Sequence, residues 1–118
     1  YFHKSNSAML RVIILHILLL FHIPGFAQES NPEIDSLKNV VSTQKEDSIK
    51  VNSLISLGGL YLDSDLDLAI DYSIQAKELA EKIDHQKGLG NALKTLGIAH
   101  AYKGNYIDAN INFQAALE

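Results

Sequence analysis

Two stretches of the chain about 39 residues apart carry the same pattern: Leu57-Gly58 with Tyr61, Ala69 and Ala76, then Leu96-Gly97 with His100, Ala109 and Ala116. Self-similarity at such a period marks stacked units, none of which can bury its apolar side without a neighbour. Inside each stretch the apolar residues recur at helical spacing. Val51, Leu54, Ile55, Gly58, Tyr61 and Leu62 share one side of a helix that Leu57 and Leu60 widen, so this segment is expected to be largely buried. A stripe of small residues, Ala69, Ser73, Ala76 and Ala80, follows on a second helix and allows two helix backbones to approach closely.

The turn chemistry divides the chain in the same way. Ser30-Asn31-Pro32-Glu33 is a helix start, with Ser30 or Asn31 as cap, and Ile34, Leu37, Val41 and Gln44 then fall at helical spacing. Asp47 or Ser48 caps the next helix, and Asp63-Ser64-Asp65 makes a tight turn whose oxygens cap a helix from about Leu66 to Asp84. Asp84 to Gly88 is a joint of about five residues or a helix extension. A helix from about Leu89 to Lys103 follows, with Leu89, Leu93, Leu96, Gly97 and His100 on one face. Gly104-Asn105 stops it and starts the last helix, which groups Tyr106, Ala109, Phe113, Ala116 and Leu117; Asn105 with Asp108 reads as a weak capping box. Leu117-Glu118 lies inside a helical pattern without a stop signal, so the array is expected to continue.

Ahead of the repeats, Met9-Leu10-Arg11 is followed by an apolar run from Val12 to Ile23 and then Pro24-Gly25-Phe26-Ala27. The run is about 12 residues, short of the roughly 20 that span a bilayer, and small residues at Gly25 and Ala27 fit an export-signal cleavage site. Residues 9–27 therefore read as a signal peptide cleaved after Ala27, with residues 1–8 as non-native upstream sequence. The exported part is acidic: with Lys4 and Arg11 gone, eight Lys stand against 14 Asp and Glu, a formal charge of −6. An acidic surface gives no reason to approach nucleic acid, and zero cysteines remove disulfides and thiolate metal sites.

Few residues suggest chemistry. Asp63-x-Asp65-x-Asp67 matches the opening of a calcium loop, but Leu68 and Ile74 occupy the places that need Gly and a bidentate Glu, so these acids read as turn and cap residues. His85 and His100, the histidines beyond residue 27, have no partner at metal spacing; His85 reads as loop surface and His100 as a packed replacement for an aromatic. Ser48, Ser53 and Ser73 lack nucleophile context. No catalytic, cofactor-binding or metal-ligating residue is expected.

The repeat residues resemble the tetratricopeptide family, whose units carry Leu-Gly-x-x-Tyr on a first helix and Ala, an aromatic, then Ala on a second. Leu96, Gly97, Tyr106, Ala109, Phe113 and Ala116 stand in family order, with His100 where the family prefers Tyr. The earlier unit has Leu57, Gly58, Tyr61, Ala69 and Ala76, its turn is one residue shorter, and Ser73 replaces the aromatic beside Tyr72. The period exceeds the family's 34 residues by about five. The resemblance implies an all-α fold of antiparallel helix pairs stacked as a right-handed α-solenoid, with an N-terminal capping helix over 28–46, two repeats at about 50–84 and 90–118, and a further repeat for stability. It also implies a protein-binding role without catalysis, on a concave face where Asn52, Ile55, Asn91, Lys94, Ile98 and Tyr102 are the candidate contacts. Ile98 stands where carboxylate-gripping members have Asn, so a carboxylate clamp is not expected.

Longer units of this type look similar to those of exported Bacteroidetes proteins in which the repeats precede a membrane helix and a signalling domain. The expectation is a periplasmic sensory or dimerising region of a histidine kinase-like protein in a Gram-negative cell, with a protein partner or a second copy and no nucleic acid. Contact with the membrane would come only through the signal peptide or a helix further on. A free-standing periplasmic adaptor and an accessory domain of an exported enzyme are the alternatives.

Overall fold

The computed structural model of the protein describes residues 2–20 and 30–118, and all of their regular structure is helical: α1 (Phe2–Leu20), α2 (Pro32–Thr43), α3 (Ser48–Leu60), α4 (Leu66–Lys82), α5 (Gln86–Tyr102) and α6 (Tyr106–Ala115). The chain divides into two compact units, Tyr1–Ser30 and Asn31–Glu118.

The first unit contributes α1, which begins at Phe2, so the residues ahead of Met9 join the apolar ones in a single helix. Met9, Leu10, Val12, Ile13, Ile14 and Leu15 are all exposed. No helix among the described residues is long and apolar enough to cross a membrane. The expected cleavage point after Ala27 lies outside the described residues.

In the second unit the caps set the helix boundaries. The Asn31 side chain accepts from the Glu33 N–H at 3.0 Å with Pro32 in the first turn. Asp47 accepts from the Ile49 and Lys50 N–H groups at 3.0 and 3.1 Å, and Asp65 from Leu68 at 3.0 Å. Each bond satisfies an amide that the first helical turn leaves without a partner. Helix α5 starts at Gln86, so the helix extension is the alternative that forms, and Gly88 fits inside it as glycine: a Cβ there would stand 2.2 Å from the His85 ring and 2.8 Å from Val51. The linker shrinks to Ile83, Asp84 and His85, and His85 lies half-buried over Gly88 rather than as loop surface.

Both α4 and α5 end with the same device. His85 N–H donates to the Ala80 carbonyl and Asn105 N–H to the His100 carbonyl, each at 2.8 Å, across one residue of positive φ. In the second turn that residue is Gly104 (φ 85°), in the first it is Asp84 (φ 54°). A left-handed conformation suits glycine and costs a side-chain-bearing residue roughly 1 kcal/mol.

Helix α2 packs on α3, α3 on α4, α4 on α5 and α5 on α6; α3 also packs on α5. Val51, Leu54, Ala76, Leu79, Ala80 and Ala92 form one buried cluster, flanked by Val41, Ile55, Tyr72, Ile83 and Leu89. The small stripe of α4 is fully covered, with Ala69, Ser73 and Ala76 at 0% exposure. Gly58 faces that stripe so closely that a Cβ would stand 2.6 Å from Ser73 Oγ and 3.3 Å from the Ala69 carbonyl oxygen. Gly97 repeats the arrangement against the Phe113 ring, at 2.6 Å. Neighbouring Gly59 has nothing within 4 Å.

These environments give three substitutions of one chemistry different signs. Gly59→Ala should raise stability by up to about 1 kcal/mol, since it only improves helix propensity. Gly58→Ala should lower it by about 1–3 kcal/mol, because the fully buried Ser73 hydroxyl that meets the new methyl is bonded to the Ala69 carbonyl and has little room to turn away. Gly97→Ala should fall between them, since Phe113 is 37% exposed and its ring can yield toward solvent. Thermal melts followed by far-UV circular dichroism give the order. In the same assay Asp84→Gly should stabilise by roughly 1 kcal/mol.

Candidate functional site

The candidate contact residues all lie on α3 and α5, the two helices that pack together across one intervening helix. The structure separates them into three groups. Asn91, Lys94 and Ile98 line one groove, of about 640 Å³, whose other wall is Phe113, Ala116 and Leu117 of the α6 segment. Asn52 is exposed on α3, while Ile55 is half-buried and leans on the core cluster, where it serves packing. Tyr102, at the end of α5, is 62% exposed and lines no part of that groove.

The groove is apolar apart from Asn91 and Lys94, and it follows from the repeat pattern. Phe113 stands over Gly97, and Ala116 sits opposite Gly90, where a Cβ would lie 3.6 Å from the Ala116 carbonyl oxygen. Small residues thus bring α5 and α6 together at one level, and Lys94 and Ile98 rise at the side. A second, more polar groove of about 820 Å³ lies where α4 and α6 leave α5 uncovered; Leu89, Gly90 and Leu93 border it with Lys77 and Glu81 on one side and Ile111 on the other.

Of the repeat-signature residues, Leu57, Ala69, Ala76, Leu96 and Ala109 are buried at 5% exposure or less. Gly58 and Gly97 are buried too, and Ala116 is half-buried. Tyr106 and Leu117 depart from the expected grouping: they are 73% and 89% exposed, because α6 packs on α5 alone and its other side meets solvent. The Asn105 side chain makes no cap bond, so the expected box with Asp108 does not form.

Tyr61 and His100 hold matching places and have different surroundings. The Tyr61 ring stacks on Tyr72, with centroids 5.7 Å apart and planes 12° from parallel, and the Lys38 ammonium lies 5.6 Å from the Tyr61 centroid. The Tyr61 phenol raises the Lys38 ammonium above its ordinary value. Tyr72 therefore does not replace the missing aromatic over Gly58. Ser73 fills that place, its hydroxyl donating to the Ala69 carbonyl at 2.7 Å, while Tyr72 turns toward Tyr61. His100 is half-buried, and its Nδ1 has no hydrogen-bond partner among the described residues. The stacked pair with its cation escapes sequence reading because Lys38 comes from α2, and no spacing rule links it to Tyr61.

The acidic turns are structural. Asp65 caps α4, Asp67 pairs with Lys103, and Asp63 is exposed. No cluster of three metal-ligating side chains occurs among the described residues. In the α2–α3 turn, the Lys82 ammonium bonded to Glu46 holds that carboxyl below its ordinary value. Partial burial pushes the Asp47 carboxyl up, but the Gln44 side-chain amide at 2.7 Å and the Lys50 and Ile49 N–H groups outweigh it, and the carboxyl lies below its ordinary value.

No family model, curated protein or solved structure matches the chain.

Both acids of the α2–α3 turn ionise more readily folded than unfolded. Their stabilising effect is therefore complete above the unfolded carboxylate range near pH 4 and is lost as pH falls through the lower folded values. The melting temperature should drop with acidification below about pH 4. Asp47→Ser, which caps without titrating, should flatten that dependence; an unchanged slope would assign it to other carboxylates.

Proposed function

We propose that residues Asn31–Glu118 form two antiparallel helix pairs, α3 with α4 and α5 with α6, stacked behind α2 as a tetratricopeptide-type right-handed solenoid that binds protein and performs no catalysis. The observation that carries the reading is the packing order. Each helix touches the next, α3 reaches α5, and α2 and α4, like α4 and α6, do not pack on each other. First helices side by side with second helices apart curve a stack and leave one continuous face on α3 and α5. Gly58 and Gly97 in matching close approaches support the same repeat.

The apolar run from Val12 to Ile23 and the small residues before Gln28 support export, and with it a periplasmic location. In this reading the array is the sensory or dimerising arm of a membrane-anchored signalling protein. That assignment rests on the resemblance of the long repeats and their leader.

The test is site-specific photocrosslinking in a Gram-negative cell. A photoreactive residue at Asn52 or Asn91, both exposed, should give a discrete adduct with one periplasmic protein, and Lys94→Glu should diminish it. The same residue at Ser36 on α2 should give none. Equal adducts from Ser36, or none from α3 and α5, would rule out this face as the binding surface. N-terminal sequencing of the secreted product should begin at Gln28.

A further inference from the structure

The acids of this chain avoid two of its helices. Helices α3 and α5 carry Lys50, Lys87 and Lys94 and no Asp or Glu, whereas α2, α4 and α6 carry seven acids and three Lys. Exposed acids would cost α3 and α5 little stability, so packing does not require the segregation.

The lysines divide in the same way. Lys38 lies over Tyr61, Lys77 pairs with Glu81, Lys82 with Glu46 and Lys103 with Asp67. Lys87 and Lys94 are exposed and have no ion-pair partner among the described residues. They stand one helical turn to either side of Asn91, which at about 3.6 residues per turn puts all three on one side of α5. Asn52 holds the place of Asn91 one unit earlier, and Ser56 lies one turn along from it. Both stay exposed although α2, α4 and α5 all pack on α3, so the open face belongs to the repeat itself.

We infer that this face takes a short acidic peptide segment. The inference rests on the reading of α3 and α5 as a protein-binding face and adds the chemistry of what binds there. A carboxylate meets Lys87 and Lys94 with no acid on the same helices, and no internal ion pair is broken when it binds. Asn52 and Asn91 each offer a donor and an acceptor, the two groups that a peptide bond presents. The surroundings limit the length. Asp63 and Asp84 lie exposed in the turns that follow α3 and precede α5. Charges act over about 8 Å at physiological salt, so a polyanion long enough to pass these acids is repelled. The negative net charge of the chain acts in the same direction. A segment of a few residues therefore suits the face better than nucleic acid or an anionic membrane surface.

Selection of phage-displayed random peptides on the full chain tests the assignment without a known partner. Recovered peptides should be enriched in Asp and Glu and should lose affinity as salt is raised. They should bind Lys87→Glu/Lys94→Glu about tenfold or more weakly, with an unchanged circular dichroism spectrum because both positions are exposed. A photoreactive residue at Asn52 or Asn91 should cross-link the same peptides. Peptides that cross-link there without acidic bias, or that are indifferent to the charge reversal, overturn the acidic assignment and leave the protein-binding face standing. If no recovered peptide cross-links at either position, both fall. Equal affinity for a single-stranded oligonucleotide or for phosphatidylglycerol vesicles would overturn the choice of a peptide.

Discussion

Everything in the second unit depends on how near two helix backbones can come at Gly58 and Gly97. At Gly58 a Cβ would meet the Ser73 hydroxyl at 2.6 Å, itself bonded to the Ala69 carbonyl, with that carbonyl oxygen close behind at 3.3 Å, so α3 and α4 approach too closely for a methyl group to enter without a shift. That approach puts Ala69, Ser73 and Ala76 out of water and lets α5 lie against both α3 and α4. At Gly97 the facing group is the ring of Phe113, a softer neighbour with an exposed edge. The two close approaches therefore share a design but differ in rigidity, and the one at Gly58 is the firmer.

Much of this was legible because it is local. A glycine opposite a stripe of small residues leaves its mark at fixed spacing, and so does an acid placed before an apolar helix start. Asp47 and Asp65 cap their helices where the sequence placed candidate caps. Over Asp84 to Gly88 the sequence left a joint and a helix extension open; the extension forms from Gln86, and Gly88, which usually reads as a breaker, is small enough to pass Val51 and His85 inside a helix. The stack of Lys38, Tyr61 and Tyr72 was out of reach because it joins α2, α3 and α4, and only tertiary packing brings a cation on one helix over a ring at the end of another. For the candidate site, the sequence placed Asn91, Lys94 and Ile98 on one helix. It did not indicate that their nearest wall would be Phe113 and Leu117, because which side of α5 the last helix takes is settled by packing.

The ion pairs between distant elements follow a different logic. Lys82 reaches Glu46 in the α2–α3 turn, and Lys103 reaches Asp67 in the first turn of α4. All four side chains are well exposed, so each pair adds little to stability and is screened by salt. Their value is geometric. Each pair ties a helix C-terminus to an earlier turn and places opposite charges where a shift of register would bring them apart, so they favour one arrangement of helices that small residues alone would let slide.

The helices of the second unit do not have uniform stability. Opening of α6 gives up the burial of Ala109 and part of Phe113, whereas opening of α3 gives up Val51, Leu54 and Leu57. At about 25 cal/mol per Å² of apolar surface, the second loss is several times the first. Local unfolding is therefore concentrated at α6, which packs on α5 alone and meets solvent on its other side. Whatever covers that side also suppresses its opening.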